Sequence, residues 1–145
     1  MADSSCLIGL SKIRRLDILH RLFGGILIPS AVYQEVVVRG AGRSGADEVA
    51  QADWIETRPI TDQLALKALR LNLGAGESEA MILAAECAAD FLILDDWRAR
   101  QVALGLGLPV VGTVAVLDKA AEKGFLPNLP EALEQLRQAG FRFLV

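Results

Sequence analysis

The chain has one histidine, two cysteines and no surplus of basic residues. A Ser-His-Asp or Cys-His nucleophilic site would have to be built on His20, and nothing near it in the sequence is arranged for that chemistry. Cys6 and Cys87 stand far apart in apolar surroundings, outside any zinc spacing or CxxC pair, so they read as buried thiols of a reducing compartment. Fifteen Lys and Arg against eighteen Asp and Glu give a net charge of −3, which does not advertise nonspecific affinity for phosphates. No basic region followed by an apolar run opens the chain, and no stretch approaches the length of a membrane span. A cytoplasmic protein with no membrane partner is expected.

What is present points to a packed fold. The 145 residues suit one domain, 1–145, and 52% hydrophobic content argues against disorder. The same content exceeds the usual range for a soluble domain and predicts a homodimer that buries the excess. Basic residues gather at Lys12, Arg14 and Arg15 and again at Arg98 and Arg100.

Helical spacing and buried strand patterns alternate along the chain. A short strand ends near Ala2, and helices are predicted over 6–16 and 17–23, the second capped by Asp17. Strand 26–28 leads into a helix opened by Pro29 and running through Val37. A glycine-bearing loop, 39–45, precedes helix 46–52, strand 54–60 and helix 62–71. Helix 77–89, with Gly76 as its N-cap, strand 91–94 and helix 98–104 follow. Strand 109–112, helices 113–123 and 131–139, and a final strand 141–145 complete the pattern. Strands separated by helices imply βαβ units, hence a three-layer α/β/α sandwich around a mainly parallel sheet.

In such a sheet the carboxyl ends of the strands line the ligand crevice, and several acids fall there. Asp95 and Asp96 follow the strand Phe91 to Leu94 directly. An adjacent pair is poorly explained by capping, since one residue suffices as the cap and its neighbour repels it. Asp3 taken alone reads as a cap of the next helix, and Glu77 and Glu79 as acids of a helix first turn. Glu35 lies off the apolar face of its helix and reads as a solvated side chain. Oxygen ligands without His or Cys suit magnesium or manganese rather than zinc. Gly74-Ala75-Gly76 lacks the Lys of a P-loop. Thr113 places a hydroxyl either at the crevice or at a helix start. Trp54 reads as a packing residue and Trp97 as packing or rim.

Five segments then combine: Asp3-Ser-Ser-Cys-Leu-Ile-Gly-Leu-Ser-Lys-Ile, Leu27-Ile-Pro-Ser-Ala-Val-Tyr-Gln-Glu35-Val, Leu73-Gly-Ala-Gly-Glu77-Ser-Glu79-Ala, Leu92-Ile-Leu-Asp95-Asp96 and Pro109-Val-Val-Gly-Thr113. Together, in this order, they resemble the PIN-domain family, in its branch related to VapC-type toxins. The resemblance implies a metal-dependent ribonuclease site in which Asp3, Glu35, Glu77 and Asp96 are catalytic. Asp3, Glu77, Asp96 and Asp95 would hold magnesium or manganese. Ser4, Glu79, Thr113 and Arg98 would be their neighbours or substrate contacts. The expected activity is endonucleolytic cleavage of single-stranded RNA by the toxin half of a toxin–antitoxin pair, restrained by an antitoxin protein. Only Met1 and Ala2 precede Asp3, so a weakly anchored first strand is expected, which supports the alternative of a noncatalytic PIN-like module binding RNA or protein. Cys6 stands where the family often carries proline. A phosphoacceptor receiver domain also groups acids on an α/β sheet, but its acidic pair comes early in the chain and here it comes late.

Overall fold

Short apolar runs give short strands. In the computed structural model, which describes residues 1–141, β1 (Ile26–Pro29) pairs in parallel with β2 (Ile55–Arg58), and β3 (Leu92–Ile93) in parallel with β4 (Val110–Val111). The segment Met1 to Asp3 joins the two pairs. Ala2 N–H donates to Leu27 O at 3.4 Å, Ile93 N–H to Met1 O at 2.9 Å, and Asp3 N–H to Ile93 O at 3.1 Å. Ala2 and Ile93 form a parallel bridge. The residues before Asp3 are thus an inner strand bonded on both sides, which corrects the expectation that their shortness leaves Asp3 loosely held.

The helices are α1 (Ser4–Lys12), α2 (Asp17–Phe23), α3 (Ser30–Tyr33), α4 (Ala46–Gln51), α5 (Gln63–Leu69), α6 (Ala75–Glu86), α7 (Trp97–Gly105), α8 (Thr113–Glu122) and α9 (Leu129–Gln138). Along β3 and the residue after it, Ile93 packs into one core with Leu7, Leu19, Ile28, Leu117 and Leu136. Leu92 and Leu94 point the other way, into a second core with Met81, Leu83, Ala99 and Ala103. A strand whose successive side chains enter different cores is covered on both faces, so the molecule is an α/β fold of three layers.

Several expected boundaries move for local reasons. The first helix starts at Ser4 because Asp3 caps it, and it stops at Lys12, where Arg14 takes the left-handed conformation (φ 60°) and Arg15 N–H reaches back to Leu10 O. Asp17 lies inside α2 and pairs with Arg21 at 3.2 Å instead of capping. The N-cap of α6 is Gly74, not Gly76, so the helix begins two residues earlier than spacing predicts. Strand 54–60 shortens to β2. Of the expected strand 141–145, residues 142–145 lie outside the described residues.

Candidate functional site

The acids converge where the strands end. Asp3 follows the inner strand, Asp95 and Asp96 follow β3, and Thr113 follows β4 and opens α8. Parallel order brings these ends to one edge of the sheet. Asp3 is 3% exposed, with Oδ1 accepting from Cys6 N–H at 2.9 Å and Oδ2 from Asp95 N–H at 3.4 Å. Asp95 is held by Thr113, whose N–H and hydroxyl donate at 2.8 and 2.5 Å. Asp96 is exposed and caps α7 through Oδ2, which accepts from Ala99 N–H at 3.0 Å. Its other oxygen carries no hydrogen bond among the described residues.

Glu35 arrives by a route that helical periodicity does not show. Past α3 the chain widens into π-helical turns over Gln34–Val38, with Arg39 N–H bonding to Gln34 O at 2.8 Å. Such insertions re-aim side chains and concentrate at functional sites. Glu35 is half-buried, its Oε2 accepting from Ser4 Oγ at 2.6 Å and its Oε1 from Gly76 N–H at 2.8 Å. The spacing argument for a solvated Glu35 therefore fails, because the turn is not α-helical. Gly76 is the residue that sequence reasoning missed. A Cβ built there would stand 2.5 Å from Glu35 Oε1, so only glycine admits the carboxylate. The unusual density of glycine around Glu77 was its only signal.

The remaining predicted residues divide. Glu77, on the first turn of α6, has no hydrogen-bond partner among the described residues and lines a cleft of about 370 Å³ with Gly74, Asp96, Trp97 and Arg98. Glu79 does not turn to the crevice: its Oε1 accepts from Ala31 N–H at 3.1 Å, closing the open first turn of α3. Ser4 and Thr113 each hold an acid, Glu35 and Asp95 respectively. Arg100, which spacing left unassigned, lies so close to Gly112 that a Cβ there would meet Nη1 at 2.8 Å and Asp95 Oδ1 at 3.3 Å.

Electrostatics ties these carboxylates into one group. Burial, then the charge of Asp95, pushes the Asp3 carboxyl up to about 7 against the opposing Cys6 and Asp95 N–H bonds, with Glu77 adding to the rise. Burial also raises Asp95, where Thr113 and Arg100 act in the other direction. Glu77 is raised by burial and by the charges of Asp96 and Glu35. Among the described residues no salt bridge neutralises any of the five. As they stand, no three His, Cys, Asp or Glu side chains among the described residues meet closely enough to hold one metal ion. Among the described residues Glu77 accepts no hydrogen bond and Asp96 leaves one oxygen unbonded. In donor chemistry the set fits a hard divalent cation: every candidate ligand is a carboxylate oxygen, and each oxygen already bonded keeps a second lone pair.

Linkage gives the pH dependence of the metal-free protein. Asp3 titrates near 7 when folded and near 3.8 ordinarily, so the folded state keeps a proton that the unfolded chain releases. Stability from this group is complete below the lower value and is lost as pH rises through about 7, by on the order of 4 kcal/mol. In EDTA the melting temperature should therefore fall between about pH 4 and pH 8, and Asp3→Asn should flatten the fall. Manganese, which binds the ionised form, should restore stability at the upper end. A wild-type melting temperature that holds steady or rises across that range in EDTA would refute the assignment.

A parallel three-layer fold with an all-carboxylate crevice at the strand ends defines the class: an α/β domain built around an acidic site. More particularly, a family model described as a PIN domain (DUF3368) matches residues 1–144, and the chain belongs to the PIN-domain family. PIN domains are typically nucleases and generally use divalent metals. No curated protein and no solved structure matched the chain. Among the described residues no helix is long and apolar enough to cross a membrane.

Proposed function

We propose that the chain, a single PIN-like unit, is a magnesium- or manganese-dependent endoribonuclease acting on single-stranded RNA, and the VapC-like toxin of a toxin–antitoxin pair. The observation that carries this reading is the gathering of Asp3, Glu35, Glu77, Asp95 and Asp96 with Arg100 near Asp95 but no salt bridge to any of the five among the described residues. Asp3, Glu77 and Asp96 would hold the ion, with Asp95 beside them. When bound, it would polarise the phosphodiester and lower the pKa of water. The chain's own part is to keep the carboxylates in place: Ser4 and Gly76 hold Glu35, Thr113 holds Asp95, and Cys6 N–H holds Asp3.

An antitoxin would silence such a crevice by placing an Arg or Lys among the acids. The exposed Leu64, Leu71, Leu104 and Leu106 give apolar surface for it or for the second copy of a cytoplasmic homodimer. The experiment is manganese and magnesium titration of the purified chain on single-stranded RNA, with co-expression of the neighbouring small gene product and light scattering of what co-purifies. Cleavage that appears with metal and disappears in EDTA, and growth arrest relieved by the neighbour, are expected. The second reading, a noncatalytic RNA- or protein-binding module, is favoured by the absence of a three-donor convergence among the described residues. RNA binding without cleavage at any metal concentration would select it.

A further inference from the structure

Asp96 is shared by two clefts. On one side it lines the cleft of about 370 Å³ that contains Glu77, Trp97 and Arg98. On the other it lines a second cleft of about 370 Å³, with Asp95, Ser5 and Lys12. A strand of nucleic acid laid through both would cross the acids midway.

Trp97 stands at the rim of the first. It is the first residue of α7, whose burial of Ala99 and Ala103 fixes which way the helix faces. The residue is 61% exposed, and its ring has no stacked aromatic or cationic partner among the described residues. Trp54, by contrast, is half-buried and stacked on His20 at 5.1 Å. Leaving a flat indole in water is unfavourable unless something covers it. The chain is also acidic overall, and its crevice repels a polyanion, so affinity for RNA needs a contact that does not depend on phosphate charge.

We propose that Trp97 is a stacking platform for an unpaired base of the RNA, adjacent to the acids, and that it sets the preference for single strands. A duplex hides its base faces, whereas a single strand offers one to the ring. Arg98 contributes at the same rim as a phosphate contact. This inference rests on the ribonuclease reading for its substrate, and its test separates the two.

The test is anisotropy of a labelled single-stranded RNA oligonucleotide with metal-free protein in EDTA. Trp97→Ala should weaken binding about tenfold or more, and Trp97→Phe, which keeps a π face, should recover most of it. The Trp97→Ala ratio should stay constant as salt is raised, while the effect of Arg98→Ala shrinks, because stacking releases no counterions. In a Trp54→Phe background, RNA should quench the remaining indole fluorescence, and melting curves should show all variants folded. Equal affinity of wild type and Trp97→Ala, or no recovery in Trp97→Phe, overturns the platform, and so does a wild-type chain that binds no RNA. If Trp97→Ala binds as wild type while the chain still cleaves with manganese, the ribonuclease reading survives alone. If binding depends on Trp97 but nothing is cleaved, the platform survives alone.

Discussion

Asp96→Asn should lower the rate of RNA cleavage at saturating manganese at least about tenfold while leaving the fold intact. Asp96 Oδ2 caps α7 through Ala99 N–H, and an Asn oxygen can accept the same bond. What the substitution removes is the charge and the second oxygen, which is free of hydrogen bonds among the described residues, on a residue that lines both clefts. Asp3→Asn should cost activity similarly but is a less clean probe. Both Asp3 oxygens accept from N–H groups in a buried site, and Asn would point an NH2 at one of those donors. That mismatch should destabilise the protein by about 1–3 kcal/mol. Single-turnover rates with melting temperatures separate the two effects. An Asp96→Asn chain as fast as wild type would remove Asp96 from the site, whatever Asp3→Asn does.

Gly76→Ala is the second large effect, and its loss should be functional rather than thermodynamic. The added methyl would stand 2.5 and 2.9 Å from the two Glu35 oxygens, closer than such atoms approach. The carboxylate ends a flexible side chain and can swing away, giving up its bonds from Ser4 and Gly76. Two lost hydrogen bonds at about 1 kcal/mol each oppose a gain of about 1 kcal/mol in helix propensity, so the net stability change is small. Activity should still fall at least about tenfold, because Glu35 no longer faces the crevice. In a Glu35→Ala background the same Gly76→Ala change should cost no further activity and should raise the melting temperature. Additive losses in the double variant would mean that Gly76 acts by some other route.

Sequence disclosed the acids at strand ends better than the acid brought by a helix. Asp95 and Asp96 follow the buried run Leu92 to Leu94 so directly that the crevice could be placed from period and position alone. Thr113, after Val110 and Val111, had the same signal. Glu35 did not, because a π-helical turn leaves no mark in a pattern read at α-helical period, and only the PIN resemblance singled it out. Glu79 shows the opposite error. The Glu-Ser-Glu spacing joins it to Glu77, yet with Gly74 as cap it has moved past the first turn of α6 and serves α3. The layers were legible from alternation, whereas the inner strand was undervalued because three residues look too few until both neighbours are counted.

That inner strand also sets an order of events during synthesis. Asp3 is made before the residues that flank its strand in the sheet, Leu27 and Ile93, and Asp95 gains its hydroxyl partner only with Thr113. At roughly 5–20 residues per second, the interval between making Asp3 and making Thr113 is on the order of 5–20 s. Glu35, Glu77, Asp95 and Asp96 are added one after another within it, so the set of acids and the hydroxyl that holds Asp95 is complete only once Thr113 has been made.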